Sequence, residues 1–437
     1  MSIRQISSIA DDFPQQLDEL LAWDMSASSD VDVVVAGIIA EVRVNGDEAL
    51  LAYTEKFDRL SAISVAEFEI SHERLAAAWA TIDPFAQQAL KVAVMRIRQF
   101  HEKQVEASWS FTDDLGNQLG QRISPIERVG VYVPGGRAAY PSSVLMTLVP
   151  AKVAGVDEVV VTVPTPDGVI NNMVLAALHL AGADKVYTIG GAQAVAAMAY
   201  GTETIQKVDK IVGPGSAYVA AAKKQVFGQV GIDMIAGPSE VLVVADGTTP
   251  VEWAVLDLFS QAEHDSYAQS ILISPDAYFI KAVADKIKEM LPGMQRSEII
   301  AASLESRGAL IHCADAQNAI AIANRIAPEH LELAVADPEE WVKGIRHAGA
   351  IFMGAHTGET FGDYMAGPSH VLPTFGTARF ASPLGVYDFQ KRSSMIHMSG
   401  KGAAHLSTMT DLLATSEGLE AHALAARVRG QGKITSV

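Results

Sequence analysis

The sequence predicts an α/β protein whose parallel sheets are covered by helices. Two observations carry this. From about residue 128, short β-rich apolar runs alternate with Ala-rich segments of helical period. Such alternation builds βαβ units, whose strands are buried on both faces and read as continuous apolar runs. The chain is also 437 residues long, too long for one small core. It has room for two such units, meeting near residues 236–240, "AGPSE".

The elements follow in order. The start, "MSIRQISSIADDFPQQLDELLAWD", is acidic and amphipathic and has no apolar signal core, so no secretion signal is read. Residues 1–110 read as helical: "DVDVVVAGIIAEVRVNGDEALLAYTEKFD" has helical periodicity with an Asn-Gly break, and Ser71 is an expected N-cap for the segment that follows it. The expected strands are "RVGVYVPGG", "DEVVVTVPTP", "DKVYTIGG", "DKIVGPG", "EVLVVAD", "AQSILISP", "GALIHCA" and "AGAIFMG". The segment after about residue 385 reads as a polar helical appendage.

Composition excludes several classes of function. With 49% hydrophobic and 19% charged residues the chain folds into a globular protein. Its net charge of -18 argues against nucleic acid or an anionic membrane as partner. No stretch reaches the roughly 18 apolar residues that span a bilayer. Cys313 is the one cysteine, so no internal disulfide is possible and a reducing compartment, the cytoplasm, is expected.

Three expected strands end in glycine-rich turns: "YVPGGRAAYPSS" (132–143), "TIGGAQAVAAMAYGT" (188–202) and "IVGPGSAYVAAAKKQ" (211–225). In open α/β sheets ligands sit beyond the carboxyl ends of strands, where glycine lets the backbone approach a phosphate and the next helix offers its N–H groups. That suits a dinucleotide. No full G-x-G-x-x-G is present, and tight turns without a ligand are the alternative.

Nine of the twelve histidines lie after residue 260. In "LFSQAEHDSYAQ", Gln261 and His264 are three apart and share a helix face; they are either a hydrogen-bonded pair or half of a metal site. Glu329 and His330 follow Pro328, which favours a helix start and would let an acid–base pair share a pocket. His312 and Cys313 are adjacent and on a strand point to opposite faces, so they do not share a metal. Glu417 and His422 are five apart, roughly 140° around a helix, and share a face poorly. Gln261, His264, Asp363 and His422 together offer two imidazoles and two oxygens, a set that suits zinc or another borderline divalent metal. No spacing rule joins them.

The stretches "GPSEVLVVAD", "SQAEHDSYAQSILIS", "RIAPEHLEL", "GDYMAGPSHVLPTFGTARFASPLGVYDFQKRSS" and "SEGLEAH" resemble the histidinol dehydrogenase family, over most of the chain from about residue 30 to 430. The resemblance implies oxidation of L-histidinol to L-histidine by two NAD molecules in turn, through a bound aldehyde, with one zinc ion per subunit. It implies Gln261, His264, Asp363 and His422 as zinc ligands, with Glu329 and His330 as the catalytic pair. Ser239, His370 and Glu417 would join Gln261, His264, His330, Asp363 and His422 as substrate contacts. Tyr132, Gln193 and Ser216 would contact NAD. Ser216 and Ser369 stand where the family usually has Asn.

The family fold implies two incomplete Rossmann-like domains with small helical extensions at both ends. Mapped onto this chain, residues 1–26 form the N-terminal extension and residues 27–131 with 239–384 the metal-bearing domain. Residues 132–238 form the nucleotide domain, and residues 385–437 a C-terminal extension reaching the partner of a homodimer. The competing expectations are a relative that oxidises another small alcohol, such as a sulfonated diol, and a zinc hydrolase without a nucleotide. The glycine-rich strand ends and the absence of H-E-x-x-H speak against the hydrolase.

Overall fold

The structure, a computed structural model, describes residues 3–22, 26–135 and 140–431. Part of the first glycine-rich turn, residues 136–139, lies outside them, as do 1–2 and 23–25 of the N-terminal extension and 432–437 of the C-terminal one. The chain divides into two compact units, Met1–Gln104 with Ile126–Phe389, and Val105–Pro125 with Gln390–Val437.

The first unit holds two parallel sheets. One has six strands, in the order Arg4–Ser7, Ala309–His312, Gln269–Ser274, Glu240–Ala245, His330–Ala334 and Ala350–Met353. Its middle strands are buried throughout, and alternate residues face opposite ways. Val241, Val243 and Leu272 pack with Val255, Leu258 and Ile287 on one face. Leu242, Val244, Ile271 and Leu331 pack with Leu17, Ile322 and Ala323 on the other. Each such side chain contributes roughly 1.5–3 kcal/mol of burial, so a one-residue slip in register is excluded. The strand Arg4–Ser7 shows that the N-terminal extension is more than helical: it pairs in parallel with Ala309–His312.

The second sheet has five strands, in the order Lys185–Tyr187, Glu158–Thr162, Arg128–Tyr132, Lys210–Val212 and Gly231–Ile232. Val129, Val131, Val159 and Val161 pack against the helices Pro84–Glu102, Pro141–Ala154 and Asn172–Ala181. Val160 and Ile211 pack on the opposite face, against the helices Ser26–Asp58, Gly191–Tyr200 and Ala217–Val226. The expected Asn-Gly break is a kink inside Ser26–Asp58, at Gly46 (φ 48°, ψ −123°). Ser71 caps the helix His72–Thr81 by accepting from the Arg74 N–H.

The second unit is an antiparallel sheet, Gln390–His397 beside Gln118–Pro125 beside Trp109–Thr112, with the helices Gly400–Ser416 and Glu420–Gly430. The C-terminal segment therefore opens with a strand before its helices. Among the described residues no helix is long and apolar enough to cross a membrane.

One buried ion pair clamps the loop after Lys210–Val212. Lys223 and Asp233 are paired with side chains 2% and 1% exposed. The Lys223 ammonium also donates to the Gly213 carbonyl at 2.8 Å, and Asp233 Oδ2 accepts from the Gly213 N–H at 2.8 Å. Gly213 has φ 110°, and a Cβ there would lie 2.2 Å from the Tyr132 carbonyl oxygen, so only glycine fits. Breaking the pair leaves a buried charge alone. Lys223→Met is expected to cost about 3–5 kcal/mol in denaturant unfolding, and Lys223→Met with Asp233→Leu to recover much of it.

Glu240 stands at the start of a central strand. Burial pushes its carboxyl from 4.5 up to about 7, against the N–H of Phe375 that donates to it. The folded protein keeps this proton while the unfolded chain loses it, so stability falls as pH rises from about 4.5 to about 7. Glu240→Gln removes that dependence. Its melting-temperature advantage over the parent protein is expected to be larger at pH 8 than at pH 5, by up to roughly 3 kcal/mol in stability. An equal difference at both pH values would contradict this.

Candidate active site

Glu329 and His330 do not start a helix. The helix Ala316–Ile326 ends before them, with Ala327 in the left-handed region at φ 52°. His330 is the first residue of a strand held between Glu240–Ala245 and Ala350–Met353. Pro328 has no N–H to lose at a strand entrance, and its carbonyl accepts from Gly349 at 2.9 Å, beginning the ladder. Pairing on both sides overrides the local preference of Pro-Glu-His. It also sets the chemistry at the amino edge of this sheet, beside Ser239, whose carbonyl accepts from the Gln269 N–H.

His330 is buried and Nδ1 lies 3.0 Å from the carbonyl oxygen of Glu240. A carbonyl only accepts, so Nδ1 carries the proton and Nε2 keeps its lone pair. Gln261 Nε2 sits 3.2 Å from the same Nδ1. Burial pushes the imidazole below its ordinary value, partly opposed by Asp363, so it is neutral near pH 7. Nε2 has no hydrogen-bond partner among the described residues. It faces Glu359 Oε1 at 3.9 Å and Asp363 Oδ1 at 4.0 Å. Glu329 Oε2 accepts from the Glu240 N–H at 2.8 Å and lies 3.6 Å from His330 Nδ1. Burial, with the charges of Glu240 and Asp363, holds the Glu329 carboxyl well above the usual carboxylate range. A neutral imidazole beside an acid poised toward neutrality can move protons in both directions.

Gln261 lies in the last turn of the helix Val251–Ala262, and His264 in the turn that follows, its N–H bonded to the Gln261 carbonyl at 3.1 Å. Gln261 is fully buried and its Oε1 has no partner among the described residues. Asp363 comes from the short helix Glu359–Tyr364. Burial pushes its carboxyl up, but His370, with His330 and His264 beyond, outweighs this and holds it below its ordinary value. His370 Nδ1 is 3.7 Å from Asp363 Oδ1, and its Nε2 is 3.4 Å from Ser143 Oγ.

One ligand atom each from His264, Glu359 and Asp363 lie within 4.8 Å of one another. They form a mixed nitrogen and oxygen donor set, which fits zinc or a similar divalent ion. Of the residues implied for a metal, His264 and Asp363 are brought together, and Gln261 lies beside His330. Sequence reasoning missed Glu359. The available signal was its position four before Asp363 in "GETFGDY", which on a helix is the same face.

Two of the site's side chains have an acid one repeat behind them: Asp257 precedes Gln261 by one helical turn, and Glu332 follows His330 on the same strand face. Glu332 Oε1 accepts from the Glu359 N–H at 2.6 Å. Burial pushes Asp257 up to about 6 and Glu332 well above the ordinary carboxylate range. The proton sits on Glu332, which can donate to Asp257, so the two hydrogen-bond rather than repel.

The nucleotide-side candidates lie at the carboxyl edge of the five-stranded sheet. Tyr132 ends the strand Arg128–Tyr132, and its buried hydroxyl accepts from the Gly191 N–H at 3.1 Å. Burial pushes that phenol up to about 12, so it stays protonated. Gln193 is buried in the first turn of Gly191–Tyr200, with Oε1 unpartnered among the described residues. Ser216 is the exposed N-cap of Ala217–Val226 and makes no capping hydrogen bond with its side chain. An orphaned amide and a free hydroxyl at neighbouring helix starts can hold a dinucleotide. Ser369 is committed elsewhere: its hydroxyl donates to the Met146 carbonyl at 3.1 Å and accepts from the Val371 N–H at 3.2 Å.

Glu417 and His422 belong to the second unit and both are exposed. They are not on one helix: Gly418, at φ 74°, turns the chain between Gly400–Ser416 and Glu420–Gly430, so the rotation expected for a continuous helix does not apply.

Comparison with known proteins bears on the identity of this site. A family model described as histidinol dehydrogenase matches residues 23–430. The histidinol dehydrogenase of Pseudomonas aeruginosa is 59% identical over 428 residues, covering 98% of this chain and 97% of its own. That of Nitrosospira multiformis is 56% identical over 434 residues, covering 99% of both chains. The crystal structure of histidinol dehydrogenase from Elizabethkingia anophelis superposes with a TM-score of 0.90 at 33% identity, covering 98% of each chain. The chain is an enzyme of the oxidoreductase class and belongs to the histidinol dehydrogenase family.

Proposed function

We propose that this chain oxidises L-histidinol to L-histidine, the last step of histidine biosynthesis, using one zinc ion and two NAD molecules in turn. The observation that carries the reading is the unshared His330 Nε2 facing Asp363, whose carboxylate clusters with His264. Family membership supplies the substrate. Gln261, His264 and Asp363 would hold the zinc, with His422 of the implied set, and the ion would supply a Lewis-acid anchor for the substrate's nitrogen donors.

His330 Nε2 takes the alcohol proton while hydride leaves carbon for the first NAD, giving the aldehyde. Glu329, in its ionised form, then takes a proton from the water that adds to the aldehyde carbon, and hydride leaves for the second NAD. Two hydrides depart and one water enters, so the product is the carboxylate. His370, between Asp363 and Ser143, and Ser239 line the substrate's place. Tyr132, Gln193 and Ser216 hold the nucleotide. Holding the aldehyde between steps replaces an encounter with an intramolecular reaction.

Glu417 and His422 act in this reading across a homodimer, entering the other copy's site. Support comes from large apolar side chains exposed on the second unit, among them Ile396, Met409, Leu412, Leu413, Leu424 and Val428; where such side chains adjoin they mark an interaction surface. The lone cysteine is buried, which suits action in the reducing cytoplasm.

Metal-stripped protein given zinc, excess NAD and limiting L-histidinol is expected to release two NADH per histidinol, with activity lost again on chelation. Glu329→Gln is expected to halve that yield and accumulate aldehyde. His330→Asn is expected to slow the first oxidation by about 10²–10⁴-fold. No NADH from the zinc-loaded protein would contradict the reading.

A further inference from the structure

The geometry points to Glu359 as an additional oxygen ligand of the divalent metal, beside Gln261, His264 and Asp363. The inference rests on the metal reading above and adds a residue to it. Glu359 Oε2 is buried with no hydrogen-bond partner among the described residues, and the side chain is 3% exposed. Its one basic neighbour within 4.0 Å among the described residues is His330, at 3.9 Å, whose Nδ1 proton is already given to a carbonyl. An isolated buried carboxylate costs several kcal/mol, and a divalent cation removes that cost.

Position argues the same way. Glu359 and Asp363 are one turn apart on a helix whose first N–H is held by Glu332 at 2.6 Å, so both carboxyls are fixed on one face. Ligand atoms of His264, Glu359 and Asp363 already lie within 4.8 Å of one another. Donors around one zinc, each at roughly 2.0–2.2 Å, lie at most about 4 Å apart. A purely structural acid would use its carboxylate on a cap or a cation; the Glu359 N–H is satisfied by Glu332, its Oε1 lies 3.9 Å from His330 Nε2, and its Oε2 is buried without a partner among the described residues.

The test uses the full chain and metal alone, without histidinol or NAD. Zinc affinity is measured by competition with a chromogenic chelator for the parent protein, Glu359→Gln, Glu359→Ala and, as reference, Asp363→Asn. Circular dichroism checks folding; if the alanine variant misfolds, the isosteric glutamine decides. Glu359→Gln is expected to bind zinc at least about 10-fold more weakly, and its Co²⁺-loaded form to show shifted visible d–d bands, as loss of a ligand requires. Unchanged affinity would overturn the inference, including the case in which only KM for L-histidinol rises. Weaker binding with unshifted cobalt bands would also overturn it, since Glu359 would then act through its neighbours. Failure of the parent protein to bind zinc would bring down the metal reading itself, and is distinguishable from both.

Discussion

The hydrogen bond between His330 Nδ1 and the Glu240 carbonyl, 3.0 Å long, is the interaction on which the site depends. It joins two paired central strands, so the imidazole is positioned by backbone rather than by a mobile side chain. It fixes the tautomer, and burial keeps the ring neutral. The lone pair on Nε2 is then directed at Asp363 and Glu359 without any further device. The same residue, Glu240, gives its N–H to Glu329. One peptide segment thus orients both members of the acid–base pair.

Around that bond the sheet and two helices keep step. Two residues along a strand and one turn of a helix both advance about 6 Å. Glu332 meets the start of the helix Glu359–Tyr364, and His330 lies near Asp363 four residues on. The helix therefore runs back along the strand, and a layer of acids forms behind the layer that faces substrate. The nucleotide-side residues belong to the other sheet, and His370 reaches from Asp363 to Ser143, on the helix Pro141–Ala154 of that second layer.

Much of this was legible because parallel strands must be apolar on both faces. "EVLVVAD", "AQSILISP" and "DEVVVTVPTP" are strands for that reason. The strands that escaped notice carry polar residues for a physical reason of their own. Arg4–Ser7 is an edge strand with two exposed residues, and Gln390–His397 is almost wholly exposed. His330–Ala334 hides a histidine and a glutamate in a fully buried run, which reads as a helix start only when its two partner strands are unknown. The convergence of Gln261, His264 and Asp363 has no sequence period, since it is made by tertiary pairing; resemblance to a family supplied it. Glu359 was visible only as a helical neighbour of Asp363.

A metal is proposed where these donors meet, beside His330 Nε2. Anomalous diffraction from zinc-loaded crystals, collected above and below the zinc edge, tests it most directly. The account predicts one strong peak per chain within bonding distance of Gln261 Oε1, His264 and Asp363. A peak elsewhere, or none in protein whose zinc content has been verified, would contradict it.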